Sequence, residues 1–155
     1  MQTNYTVVTI RPVITPAAYG AADQIGQPLP LTGALPNQKS AILESIVILD
    51  TAAQSTGYVV TFFNQLPSVT SADNAIIEIT DANAATQMIG NVIVSATDIV
   101  NYGTGPTCSM ISARNVGLVL RKAANAEIYA LLRPTSTPTY GAADNLTIHF
   151  GFRHV

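Results

Sequence analysis

Short runs of β-branched and aromatic residues recur along the chain and are separated by Gly, Pro, Asn and Ser. This spacing is typical of strands joined by turns, because branched and aromatic side chains favour extended backbone and the separating residues favour turns. Strands are predicted over residues 4–10, 41–50, 57–65, 89–96, 107–112, 115–121, 127–133 and 145–153. The pattern therefore predicts an all-β fold.

The predicted strands are of two kinds. In the last one, every second residue from Leu146 to Phe152 is apolar and the residues between them are polar or small, which predicts one buried face that includes Phe150. Segments 41–50 and 127–133 are apolar at nearly every position, as expected of strands that a second sheet or a neighbouring subunit covers on both faces.

A single short helix is predicted over residues 81–88, because Thr80 or Asp81 can cap it and the alanines that follow favour helix. The polar run between Leu120 and Ile128 predicts an antiparallel hairpin that joins the strands on either side.

The N-terminal part of the chain is rich in proline. Five of the nine prolines lie in residues 11–40, which predicts a long ordered loop or an arm with little regular structure. Together with the strand at 4–10, residues 1–16 are predicted to form an extended N-terminal arm that lies along a neighbouring molecule, with a surface loop as the alternative.

A five-residue motif occurs twice, once near each end of the chain. Tyr19–Asp23 has the sequence YGAAD, and Tyr140–Asp144 repeats it. Each copy precedes apolar residues, so the repeat predicts two equivalent strand starts in which the Asp caps a turn and the Tyr closes the edge of the core. Chance recurrence is the alternative.

The charge content narrows the function. Seven basic and nine acidic residues give a net charge of −2, and charged residues make up 10% of the chain where about 25% is usual. With 48% hydrophobic residues and a mean hydropathy of +0.31, we expect a homo-oligomer that shares apolar surface.

The scattered basic residues disfavour nucleic-acid binding, and no apolar run approaches the roughly 20 residues of a membrane span. The start of the chain lacks a secretory pattern, so synthesis in a cytoplasm is expected.

Candidate chemistry is sparse. Cys108 is the single cysteine and is predicted to be a small buried hydrophobe. His149 and His154 are five residues apart, so on a strand they face opposite sides and cannot share a metal without another subunit. The acidic residues that lie closest together in the sequence are Asp73, Glu78 and Asp81. We interpret them as turn and helix-cap residues, with a cation site as the alternative.

The sequence assigns no catalytic, cofactor-binding or metal-ligating residue, and enzyme activity is not expected. Residues 102–106 (YGTGP) form a weak phosphate cradle because no helix follows them, and a turn is preferred. A sugar site would need exposed aromatic side chains, which only Tyr58, Tyr102 or Tyr129 could supply.

Short motifs follow one another along the chain in an order that resembles the small virion structural proteins of tailed bacteriophages, of the head-decoration or cement type. They are Tyr19–Gly26, Asp50, Thr61–Phe63, Asp73–Ala75, Thr80–Ala82, Ile89–Gly90, Ile128–Leu132, Pro138–Tyr140 and Asp144–Ile148. The resemblance covers about residues 17–153 and implies an antiparallel β-sandwich, in jelly-roll form as one option, at residues 17–155. It also implies a trimer on a capsid and carries over no catalytic residue.

The leading hypothesis is therefore a capsid decoration protein that binds the major capsid protein at the virion surface, after synthesis in the host cytoplasm, and stabilises the head. A tail, neck or fibre-associated virion protein is the alternative within the structural class. A carbohydrate-binding β-sandwich and a small β-fold enzyme remain as alternatives from other classes.

Overall fold

The computed structural model describes residues 4–35, 40–69, 72–103 and 107–154, and strands dominate them. The strands are β1 (Tyr5–Ile10), β2 (Ile25–Pro30), β3 (Ser40–Asp50), β4 (Tyr58–Phe63), β5 (Met88–Val94), β6 (Val100–Tyr102), β7 (Cys108–Arg121), β8 (Tyr129–Pro134) and β9 (Leu146–His154). One α-helix, α1 (Asp81–Gln87), and a short 3-10 helix at Ala96–Asp98 lie between strands. The predicted all-β fold and its helix are confirmed.

The strands form two antiparallel sheets. The front sheet has the order β1-β9-β3-β7-β6, and the back sheet has the order β2-β8-β4-β5. Consecutive strands lie in different sheets except for β4 with β5 and β6 with β7, so strands distant in sequence become neighbours, as β1 and β9 do. Without the short β6, each sheet has four strands. Two four-stranded sheets connected in this way form a jelly roll. The predicted β-sandwich is confirmed, and its topology is the jelly-roll one.

Side chains from both sheets meet in one apolar core. Phe62 of β4 lies edge-on to Phe150 of β9, with ring centroids 6.0 Å apart, and Phe150 stacks on Phe152 at 6.5 Å. These rings are fully buried, as the alternation along the last strand predicted. On β3 the outward Val47 and Leu49 are only half-buried, so the prediction that this strand is covered on both faces is not met within one chain.

Residues 107–112 and 115–121 were predicted as two strands and form one, β7. The strand continues through Asn115 and Gly117, which have positive φ values of 55° and 69°, and the pairing with β3 shifts register between Leu43 and Ser45. This is a bulge, in which extra residues bend a strand without ending it. The sequence predicts a break at residues 113–114, and a bulge lies here instead because Asn115 and Gly117 tolerate positive φ values within the strand.

The predicted hairpin between β7 and β8 is wrong. These strands belong to different sheets, because β7 pairs with β3 and β6 whereas β8 pairs with β2 and β4. Residues 122–128 cross from the front sheet to the back sheet, and the Ala123 amide donates to the Asn64 carbonyl at 2.8 Å. Apolar alternation shows that a strand has a buried side but not which strand lies beside it.

The proline-rich region contains a strand that the sequence did not predict. Pro28 and Pro30 lie in β2, at the edge of the back sheet, where a proline does not interrupt the pairing of a central strand. The N-terminal segment is extended as predicted, and β1 pairs with β9 of the same chain, with Tyr5 opposite Arg153.

The repeated YGAAD motif precedes a strand at both places, as predicted. The first copy leads into β2 and the second into β9, and Tyr19 and Tyr140 are both buried with ring centroids 5.7 Å apart. Asp23 caps the first turn by accepting from the Gly20 amide at 2.6 Å. In the second copy, Asn145 performs this role by accepting from the Gly141 and Ala142 amides, so the predicted cap at Asp144 is wrong.

Candidate assembly surface

The outward side of the front sheet, called here the front face, carries apolar side chains on four of its strands. Strand alternation and pairing register place on it Tyr5, Val7, Ile42, Val47, Leu49, Val100, Tyr102, Met110 and Val119. Val7 is 65% exposed, Tyr5 64% and Val119 56%. Outward positions of a sheet that faces water are normally polar.

The front face carries few charged residues, and the pairing register places the exposed Arg114 and Arg121 of β7 on it together with Glu44 and Arg153. Arg153 donates from Nε to Glu44 Oε1 at 2.6 Å, which raises the pKa of the arginine. His149 bonds through Nδ1 to the Thr9 hydroxyl at 2.9 Å. Glu44, Arg153 and His149 are therefore bonded within the face, and bonded polar groups are easier to remove from water than unpaired ones.

The front face approaches the size of a typical protein contact surface. Its five strands contain 43 residues in total, which at roughly 3.3 Å per residue and about 4.8 Å between strands cover about 680 Å². A typical specific interface buries about 800 Å² per partner.

A group of buried tyrosines and one carboxylate closes one end of the sandwich. The hydroxyls of Tyr58 and Tyr140 are 2.8 Å apart, and the Tyr58 hydroxyl donates to Asp50 Oδ2 at 3.5 Å. Asp50 also accepts from the Ala52 amide at 2.7 Å and the Gln54 amide at 3.0 Å. Burial raises the pKa values of Asp50 and of both tyrosines because it disfavours their charged forms.

A second carboxylate, Asp73, joins three segments. It accepts from the Thr15 amide at 2.7 Å, from the Gly26 amide at 2.6 Å and from the Tyr19 hydroxyl at 2.8 Å. Burial alone would raise the pKa of Asp73, but these bonds outweigh burial and lower it. Its role is a long-range tie rather than the local turn duty that the sequence suggested.

The structure separates the other acidic candidates. Glu78 is exposed, and Asp81 is the first residue of α1, whose N-cap is Thr80, with its hydroxyl 3.3 Å from the Asn83 amide. Among the residues that the structure describes, no three His, Cys, Asp or Glu side chains come together as metal ligands.

The two histidines lie on opposite sides of β9, as predicted. His149 is on the front face, whereas His154 Nε2 is 2.7 Å from the Thr6 hydroxyl and its Nδ1 is shielded from water. Cys108 is half-buried at the start of β7, so the prediction of a buried cysteine is wrong. Gly103 has a φ of 98°, and residues 104–106 of the YGTGP segment lie outside the described residues.

The three candidate tyrosines of a sugar site do not form one surface. Tyr58 is 1% exposed in the core, Tyr102 is 48% exposed on the front sheet, and Tyr129 is half-buried on β8 of the back sheet. In the described part of the chain, no helix is long and apolar enough to cross a membrane.

Comparison with known proteins gives a distant similarity of fold. No protein-family model matches the chain, and no curated protein matches it in sequence. Among solved structures, the chain is similar to one from the crystal structure of tomato aspermy virus, with a TM-score of 0.45 and 16% identity over 98% of this chain and 76% of the viral chain.

The sequence predicted that both faces of segment 41–50 are covered, but it did not identify the front face as a surface. The half-exposed side of β3 carries Ile42, Val47 and Leu49, and the buried side is also apolar, so the sequence did not distinguish the two sides. The available signal was the low charge of segment 41–50, in which the charged residues are Glu44 and Asp50.

Proposed function

We propose that this chain is a virion structural protein of a tailed bacteriophage, a capsid decoration protein that binds the head surface as a homotrimer and stabilises it. The observation that carries the proposal is the apolar front face, with its few charged residues, on a jelly-roll sandwich. The partner is the major capsid protein, the location is the capsid surface, and the role is structural rather than catalytic.

The fold supports this proposal by analogy. Jelly rolls occur in viral capsid proteins, in lectins and in cupins, so the topology alone does not select a function. A lectin-like role has less support, because the exposed Tyr102 and the half-buried Tyr129 lie on different sheets. The front face approaches the area, and has the low charge, that a covered contact surface needs.

The energetics favour contacts that survive high salt. Charged residues make up only 10% of the chain, so apolar burial must supply most of the binding free energy. In a cyclic trimer each contact joins two different surfaces, so the front face of one copy lies against another surface of its neighbour. Three copies then bind the shell together, which adds avidity to a modest contact per copy.

A matched pair of substitutions tests the oligomer. Val7 on the front face and Ile93 on the edge strand of the back sheet are both 65% exposed. Val7→Asp should convert the trimer to monomers in light scattering after size exclusion, because a buried unpaired carboxylate is costly. Ile93→Asp should leave the trimer intact. A trimer that tolerates Val7→Asp would contradict the assignment of the front face, and a monomeric wild-type protein would contradict the trimer.

A tail, neck or fibre-associated virion protein is the second candidate, since it could use the same face. Purified heads and purified tails separate the two. The proposal requires the protein on heads, and its presence on tails alone would establish the second candidate.

A further inference from the structure

An apolar groove runs over the outer side of the back sheet, away from the front face. Its floor is formed by Phe63 of β4 and Leu131 of β8, which are each 1% exposed although they point away from the core. Ile77 and Ile79 form one wall, and Met88 lies at the start of β5. The groove encloses about 220 Å³.

The wall of the groove is fixed before anything binds. The Asn74 amide donates to the Gln24 carbonyl and the Gln24 amide donates to the Ala75 carbonyl, both at 2.8 Å. The Ile77 amide donates to the Ala22 carbonyl at 3.2 Å. Asp73 ties the same segment to Thr15 and Gly26 by its carboxylate bonds. A prearranged groove loses little conformational entropy on binding.

One cation, Arg133, lies at this apolar groove. Its Nη1 donates to the Ala21 carbonyl at 3.0 Å. Arg133 forms no ion pair among the described residues, where the ion pair present joins Arg153 and Glu44 on the other sheet. Glu78 stands between the two wall isoleucines and lines a separate hollow with Ser68 and Thr80. The guanidinium therefore has hydrogen-bond donors left for an anionic group.

The size of the groove indicates what occupies it. Pockets for drug-sized molecules enclose about 300–1,000 Å³, and this groove is smaller. It has room for a large aliphatic or aromatic side chain. An apolar site for one side chain beside one cation fits an extended peptide, which contributes single anchoring side chains and leaves the rest of its chain outside.

We propose that this groove binds an extended acidic peptide segment of the particle's shell protein, with an apolar side chain between Phe63 and Ile77 and a neighbouring carboxylate bonded to Arg133. The identity of the partner rests on the proposed function, whereas the peptide chemistry rests on the groove itself. The groove is on the sheet opposite the front face, so one surface serves contact between copies and the other serves contact with the shell.

The first test uses the isolated protein. Amide shifts of labelled protein are followed by NMR during titration with a capped peptide centred on Asp-Leu-Asp, and with matched Asp-Ala-Asp and Lys-Leu-Lys peptides. The Asp-Leu-Asp peptide should shift the amides of Ile77 and Leu131 and bind at least about tenfold more tightly than either control. Equal binding of the three peptides, or binding elsewhere, would overturn the inference, as would tighter binding of octanoate than of the peptide.

Protein variants assign the effect to one side chain. Arg133→Gln should weaken Asp-Leu-Asp binding about tenfold or more, and Arg133→Lys should retain part of it. Arg114→Gln removes an exposed arginine from β7 on the other sheet and should leave binding unchanged. An Arg133→Gln protein that binds the peptide as well as the wild type would overturn the inference.

The second test separates this inference from the proposed function. Wild-type and Arg133→Gln proteins are incubated with undecorated heads, and occupancy is measured by sedimentation. The expected result is full occupancy for the wild type and reduced occupancy for the variant. Equal occupancy of both would reject the groove as the shell contact while the decoration role stands. Failure of the wild type to bind heads would reject the decoration role, whatever the peptide result.

Discussion

Asp73 offers a quantitative test of how this sandwich is held together, because one side chain joins segments far apart in sequence. Asp73→Ala removes the acceptor of the Thr15 amide, the Gly26 amide and the Tyr19 hydroxyl. Thr15 and Tyr19 also bond to each other, with the Thr15 amide 2.9 Å from the Tyr19 hydroxyl, so each keeps a partner. Gly26 is buried and loses the acceptor that Asp73 supplies.

The cost follows from these contacts. A buried donor left without an acceptor costs about 1–3 kcal/mol, and the weakened bonds of Thr15 and Tyr19 add a smaller amount. Solvent screening reduces the total because Asp73 is only partly buried. We therefore expect Asp73→Ala to lower the free energy of unfolding by about 1–3 kcal/mol, and Asp73→Asn by about half as much, since the amide keeps one acceptor oxygen.

Urea unfolding followed by circular dichroism measures this difference at neutral pH. The control is Asp144→Ala, the last residue of the second YGAAD copy, where the side chain is exposed and a change below about 0.5 kcal/mol is expected. A loss for Asp73→Ala no larger than that of the control would refute the tie between the three segments.

The pH dependence gives a second check on Asp73. Its pKa is lowered in the folded protein, so its stabilising contribution is present above the unfolded value of about 3.9 and is lost as the pH falls through the folded value. The difference between the wild type and Asp73→Ala should therefore shrink at acid pH. A difference that stays constant from pH 7 to pH 2 would show that the carboxylate charge is not involved.

Three further changes test other parts of the account. Phe150→Ala should lower the free energy of unfolding in urea by about 3–5 kcal/mol, because the ring is fully buried against Phe62 and Phe152. His149→Ala should lower it by less than about 1 kcal/mol, and similar small effects at both residues would show that the register of β9 is misassigned. Burial raises the pKa of Asp50, so its favourable contribution to stability is present below about pH 3.9 and is lost as the pH rises through the folded pKa. The stability of the wild type relative to Asp50→Asn should therefore fall as the pH rises over that range, and an increase would contradict the raised pKa. Folding should need no metal, so chelator treatment should leave the unfolding midpoint unchanged, and a lowered midpoint would reveal a site.

Local patterns predicted the strands well and their neighbours poorly. Alternation from Leu146 to Phe152 identified the buried side of β9, because each side chain on a strand reports its own environment. Strand pairing depends on residues far apart in the chain, as for Tyr5 opposite Arg153. The sequence of one segment does not indicate which other segment pairs with it. The same limitation produced the incorrect hairpin after β7.

The contact surfaces were harder to predict than the core. Val47 and Leu49 look like core residues in the sequence, and only the sheet order shows that they point outward. The sequence suggested only a local turn role for Asp73. Its partners Thr15 and Gly26 lie more than 40 residues earlier in the chain, so the local sequence did not reveal them. The sequence did not identify Arg133 as a candidate binding residue, because the apolar side chains beside it come from other parts of the chain.

The central claim is that this chain is a structural component of the virion head, and a cryo-electron map of intact particles tests it most directly. The account predicts jelly-roll density in groups of three on the outer surface of the head, with the front face covered by a neighbouring copy and the Arg133 groove turned toward the shell. Particles whose heads lack this density, or carry it only as separate single copies with the front face open to solvent, would contradict the account.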